Sequence, residues 1–401
     1  MTGARTRGQP AALAAVAAMI RGPAPHAVLL VGPDGVGKTT LALDLAAGLL
    51  CTAAAAERPC RSCRSCRLVE RGGQPDLHRL VPVGPGRQVV IGGRDARYRG
   101  VRDLIADLAL LPVEGGARVA IIEGADRMNE DAQSAILKTL EEPPSGVTIV
   151  LCADREARLM PTVRSRCQRV RLGLVGARDI EAILADHGLA DPPTASRLGR
   201  LAGGRPGLAL AYARAPEAVL IRAELTRVVL DLTDARPSAR LAAARSAIPR
   251  ALALSAALAA AGPDVVAVPR RSRRKGLAAE TVAPADEPVG EEGATPDDEA
   301  AGSGRAVPAT ERRRAVEILL ALWADVARDL ILVGSGGVRS VHDAVLIDES
   351  AQVVAAIAPG AAVAFLERTA RSAELLDSNV SPELVLDTLV LAWPARTRAA
   401  A

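Results

Sequence analysis

Aromatic side chains are almost missing from this 401-residue chain, which has one Phe, two Trp and two Tyr. That scarcity excludes a core organised by ring stacking. It also argues against the aromatic platforms on which single-stranded nucleic acids stack. Lysine is nearly as scarce: Lys38, Lys138 and Lys275 are all there is, so the basic charge is carried by arginine. The net charge of +4 is small; it permits contact with nucleic acid without arguing for it. No unbroken apolar run reaches the ~18 residues of a membrane span, so a soluble, cytoplasmic chain with no membrane partner is expected. Residues 11–20 have the length of a signal-peptide core. Arg21-Gly22-Pro23 ends that stretch and a phosphate-binding pattern follows at once, so it reads as part of the fold.

What is abundant is aliphatic: hydrophobic residues make up 49% of the chain, enough for two or three domains at this length. Residues 27–31, Ala-Val-Leu-Leu-Val, are a continuous apolar run that reads as a buried parallel strand. Helical spacing follows from Lys38 to about Leu50. Further buried strands are expected at Val119 to Ile122 and Thr148 to Leu151. Between them lies a helix from Glu130 to Glu141, stopped by Pro143-Pro144. Strands alternating with helices predict a doubly wound α/β domain ending near Leu172. Beyond it the pattern is helical: a small helical unit over 173–232, then an all-α domain over 233–401. Residues 262 to about 310 interrupt this with Pro, Gly, Glu and Asp, and read as a disordered insertion.

Three motifs carry chemistry. Gly32-Pro33-Asp34-Gly35-Val36-Gly37-Lys38-Thr39 fits the P-loop pattern between a strand and a helix. Gly32, Gly35 and Gly37 let backbone N–H groups turn inward around a phosphate chain, Lys38 reaches the β- and γ-phosphates, and Thr39 places its hydroxyl on Mg²⁺. ATP or ADP with Mg²⁺ is therefore the expected ligand class, although binding does not establish hydrolysis. Cys51, Cys60, Cys63 and Cys66 fall within one short segment and can close a tetrahedral, structural Zn²⁺ site. Arg58, Arg61, Arg64 and Arg67 sit among them and are expected to lower the thiol pKa values. Cys152 and Cys167 read as packing residues. Residues 119–126 have the shape of a strand with acid at its carboxyl end. Glu123 can help to hold Mg²⁺ or can simply cap the strand; Gly124 has no side chain to activate water, and Asp126 is expected to point elsewhere.

The order of these pieces resembles the clamp-loader branch of the AAA+ family. The Cys₄ insertion follows the P-loop helix directly. Leu137-Lys138-Thr139-Leu140-Glu141-Glu142-Pro143 and Ser165-Arg166-Cys167 match segments specific to that branch, and Gly8-Gln9 matches its adenine-side motif. The resemblance implies an AAA+ domain over 1–172 with the zinc module at 51–66, a helical lid over 173–232 and a ring-forming helical collar over 233–401. It implies that Arg166 is an arginine finger, which reaches the nucleotide of a neighbouring subunit. It also implies the partners: the gamma/tau and delta subunits of a DNA polymerase III loader, the sliding clamp and primed DNA. Three parts of a working ATPase are altered. Gly124 replaces the catalytic carboxylate, Ala153 or Asp154 falls at the sensor threonine, and Leu208 falls at the lid arginine with Arg205 nearby. A retained finger beside an impaired site points to a subunit that assists its neighbour. The alternatives are a hydrolysing subunit of the gamma/tau type and, from another class, a zinc-containing nucleic-acid-binding module.

Overall fold

In the computed structural model, residues 3–83, 87–93, 98–114, 116–261, 308–378 and 380–397 are described. The inferred insertion at 262–310 lies outside them, apart from its last three residues. The N-terminal half runs α1 (Pro10–Arg21), β1 (Ala27–Val31), α2 (Lys38–Leu49), α3 (Arg64–Glu70), β2 (Leu77–Leu80), α4 (Val101–Leu108) and β3 (Arg118–Ile122). It continues with α5 (Glu130–Glu141), β4 (Val147–Ala153), α6 (Pro161–Arg164) and β5 (Gln168–Arg171). The strands form one parallel sheet in the order β2-β3-β4-β1-β5. This is an open parallel sheet with helices on both faces, the doubly wound α/β arrangement expected.

Successive residues of a strand face opposite sides of the sheet, and helices cover both sides, so the inner strands β1, β3 and β4 are apolar along nearly all of their length. On one side Leu29, Ala120, Ile122, Ile149 and Leu151 pack against Leu104 and Leu108 of α4 and Ile136 and Leu140 of α5. On the other, Val28, Leu30, Val119, Ile121 and Val150 pack against Val16 and Ile20 of α1 and Leu41 and Leu45 of α2. Complete burial of such a side chain is worth roughly 1.5–3 kcal/mol. The N-terminal apolar stretch is therefore α1, a core helix of the sheet. Asn129 caps α5 by accepting from the Ala132 N–H at 3.0 Å, and Pro143-Pro144 stand just past its end.

The C-terminal half is helical: α7 (Ala177–Asp186), α8 (Pro192–Leu201), α9 (Pro206–Arg214), α10 (Pro216–Asp231) and α11 (Pro237–Ala260). After the undescribed segment come α12 (Ala309–Gly334), α13 (Ile347–Ala356), α14 (Ala361–Asp377) and α15 (Pro382–Leu391). One continuous apolar cluster runs through it, from Ile180 and Leu184 through Val229 and Leu254 to Leu319, Trp323, Phe365 and Trp393. Three of the five aromatic rings meet here: Phe365 lies 6.5 Å from Trp323 and 4.7 Å, edge-on, from Trp393. Helix α11 is long and apolar enough to cross a membrane by length and composition. It carries Arg240, Arg245 and Arg250 and buries Ala244, Ala247, Ala251 and Leu254 within the helical cluster.

Candidate nucleotide site and metal centre

The chain leaves the carboxyl end of β1 beside β4 and β5, where an open α/β sheet offers its crevice. Gly35 (φ +78°) and Gly37 (φ +102°) take left-handed backbone conformations that favour glycine. A side chain on Gly37 would meet nothing within 4 Å, so the loop faces open space there. Lys38 is buried. Its Nζ donates to the Gly32 and Pro33 carbonyls, both at 2.8 Å, and pairs with Asp154 at 2.6 Å. The N–H of Gly207, in the first turn of α9, donates to the Gly35 carbonyl at 2.8 Å, which seats the start of that helix on the loop.

Thr39 and Glu123, distant in sequence, meet: the threonine hydroxyl donates to Glu123 Oε2 at 3.2 Å. A hydroxyl beside a carboxylate is a donor set that suits Mg²⁺. Glu123 is not free, however, because Arg79 of β2 donates to its other oxygen from Nη2 at 2.5 Å and from Nε at 3.1 Å. The guanidinium neutralises the carboxylate that a divalent cation would need. Gly124 has φ +59°, and a Cβ there would stand 2.9 Å from Pro82 and 3.2 Å from Arg127. Position 124, where a catalytic base was looked for, thus has no side chain, and one placed there would be strained and would have to displace Pro82. Asp126 is buried and turned to structure: its carboxylate accepts the N–H groups of Asp154 at 3.1 Å and Arg155 at 3.3 Å. Arg205 donates to the Ala202 carbonyl at 3.0 Å and lies 3.9 Å from Asp325 of α12. Sequence reasoning did not find Arg79 or Arg127. Neither falls in a motif, and only the sheet register and the turn after β3 bring them to the site.

The four module cysteines gather as the spacing requires, with all Sγ atoms within 4.8 Å of one another. Cys51 lies 3.5 Å from Cys60 and 3.9 Å from Cys63. Four thiolates around Zn²⁺ at about 2.3 Å would stand ~3.8 Å apart, so the cluster fits a tetrahedral ion. The side chains of three of the interspersed arginines turn away from the thiols, although the Arg61 N–H lowers the Cys66 pKa against burial. Arg58 donates to the Ala53 carbonyl, Arg61 turns to Gly3 and Asp44, and Arg64 pairs with Glu114. It is hydrogen bonding from Ser62 and from the N–H groups of Cys63 and Ser62 that lowers the Cys60 thiol to about 6. Burial raises Cys66. Cys152 is buried in the sheet core and Cys167 donates to the Val163 carbonyl; burial raises both thiols, Cys167 to about 11.

Asp44 of α2 ties this module to the N-terminal segment. Its fully buried carboxylate accepts from the N–H groups of Arg5 and Thr6, from the Thr6 hydroxyl and from Arg61. Arg166 stands apart from the P-loop cluster. It follows α6, is part-exposed, pairs with Glu141 at 2.5 Å and donates to the Thr162 carbonyl at 2.9 Å.

Residues 8–175 match the family model described as DNA polymerase III, delta subunit. The DNA polymerase III subunit delta' of Pseudomonas aeruginosa is 37% identical over 183 residues, covering 45% of this chain and 53% of that protein. This chain resembles the delta-prime subunit of DNA polymerase III. The delta-prime subunit of Bacillus subtilis is 32% identical over 162 residues, covering 40% of this chain and 46% of that protein. The subunit tau of Escherichia coli is 30% identical over 177 residues, covering 43% of this chain and 26% of that protein. The chain thus spans about half the length of the curated delta-prime relatives that it matches. The family match takes in the P-loop, the cysteine cluster, Glu123 and Arg166, and it ends before α7.

Proposed function

We propose that this chain is a delta-prime-type subunit of a bacterial clamp loader, which helps to place the sliding clamp on primed DNA. In this reading it does little or no hydrolysis of its own and lends Arg166 to the ATP of a neighbouring gamma/tau subunit. The observation that carries it is the state of the would-be ATPase site. Arg79 already neutralises Glu123, and position 124 is a glycine in a left-handed conformation with Pro82 close against it. Arg166, by contrast, stays part-exposed on a turn away from that site. A guanidinium supplied in trans offsets charge building on the transferred phosphoryl group, an effect worth about 10³–10⁵ in rate.

Helices α7–α10 would serve as the lid and α11–α15 as the collar through which gamma/tau and delta subunits assemble. The cysteine cluster would hold a structural Zn²⁺, having four protein ligands and no open position. Such a subunit would work in the cytoplasm. The test is a reconstituted loader with clamp and primed DNA carrying Arg166→Ala in this chain. Intact assembly with ATP turnover reduced at least a hundredfold is expected. Unchanged turnover would sink the finger assignment. The motor reading draws on the 30% identity to tau; Lys38→Ala separates it, because a motor would lose loading and a delta-prime subunit would not.

A further inference from the structure

Asp154 stands at the exit of β4, where a nucleotide-sensing side chain is expected, and it does something different. Its Oδ1 lies 2.6 Å from Lys38 Nζ, and its Oδ2 lies 3.6 Å from the guanidinium of Arg127. The placement is enforced from behind, because Asp126 holds the N–H groups of residues 154 and 155. An ammonium group has three donors. Those of Lys38 are filled by the Gly32 carbonyl, the Pro33 carbonyl and Asp154. Lys38 can take a phosphate oxygen only by releasing one of them. The carbonyls belong to the loop itself; the carboxylate sits on a side chain that can rotate away. A two-oxygen anion bridging a lysine and an arginine is also what a phosphate would be in that place. Arg314 of α12 feels the same arginines: burial lowers its pKa and the charges of Arg87 and Arg127 lower it further, against Glu317 and Asp34.

We infer that Asp154 is an internal counter-anion, which competes with the phosphates of a nucleotide for Lys38 and Arg127 and so sets the affinity of this P-loop for di- and triphosphates. The inference rests on reading the P-loop as a phosphate site. It does not depend on the loader assignment, and it is tested on the isolated full chain.

Calorimetric titration with Mg²⁺-ATP, inorganic tripolyphosphate and adenosine would compare the unaltered chain with Asp154→Asn and Asp154→Glu. Loss of the competing charge should tighten ATP and tripolyphosphate binding by about tenfold or more in Asp154→Asn and leave adenosine unchanged. Asp154→Glu keeps the charge and should stay weak. Adding Arg127→Ala to Asp154→Asn should remove much of the gain. Should Asp154→Asn not fold, Asp154→Ser serves in its place. Phosphate binding no tighter than in the unaltered chain overturns the inference, as does an equal gain for adenosine, which would mean general loosening. A gain that survives Lys38→Ala overturns the P-loop reading beneath it as well; neither result bears on Arg166.

Discussion

In the delta-prime reading proposed here, Gly124 is the residue that closes off hydrolysis. Its left-handed backbone and the nearness of Pro82 and Arg127 disfavour a longer side chain. Restoring the carboxylate by mutation should therefore fail. Gly124→Glu is expected to show no gain in ATP hydrolysis over the unaltered chain, and to lose roughly 1–3 kcal/mol of stability from backbone strain. A turnover assay beside a urea titration checks both halves; a clear gain in hydrolysis would mean that the loop adapts and that the glycine alone was limiting.

Among the elements, the cysteine module and α2 act as one unit. Ala47 of α2 packs with Cys51, Cys66 and Val69, and Asp44 on the same helix receives Arg61 from the module and the N–H groups of Arg5 and Thr6 from the N-terminal segment. Metal binding should therefore contribute to the folding of more than the module itself. The purified chain should carry one zinc ion, and Cys63→Ser should carry close to none, by elemental analysis. The same variant should expose the segment before α1 to limited proteolysis, because Arg61 would no longer be held against Asp44 and Gly3. A zinc content unchanged by the substitution would remove the metal assignment. An unchanged proteolytic pattern would confine the role of the metal to the module.

Across the whole molecule, the helical half is tied together by charge at one buried point. Asp325 of α12 receives Arg222 of α10 at 3.2 Å and Arg328 at 2.9 Å, with Arg205 at 3.9 Å. Burial opposes the charge of Arg222, yet the carboxylates of Asp325 and Asp343 favour it and its pKa is raised. Removing the acid alone strands a buried cation, so Asp325→Ala should cost on the order of 3–5 kcal/mol in chemical denaturation. Replacing both partners by apolar residues, Asp325→Leu with Arg222→Met, should recover most of that loss. If the single variant unfolds at the same denaturant concentration as the unaltered chain, the cluster is ornamental to stability. Arg205 joins this cluster from the residue just before α9, whose first turn also touches the P-loop through Gly207. A nucleotide-dependent shift of α9 would therefore reach α12 directly.

Periodicity and local chemistry made much of this legible in the sequence. The apolar runs at 27–31, 119–122 and 148–151 are strands, because a strand covered on both faces cannot alternate with polar residues. The helix from Glu130 to Glu141 was legible from its closing prolines, whereas its Asn129 cap was read only from the structure. The P-loop and the cysteine cluster were legible because their function requires fixed residue types at short spacing. The short strands β2 and β5 were not, since Leu77–Leu80 and Gln168–Arg171 mix polar and apolar residues at the sheet edges. What each charge does also had to wait for the fold. Arg79 reaches Glu123 only because β2 lies beside β3, and Asp154 reaches Lys38 only because β4 lies beside β1. The sequence determined which groups this chain carries; parallel packing of strands far apart in sequence decided which charges meet, and so which of those groups are already taken.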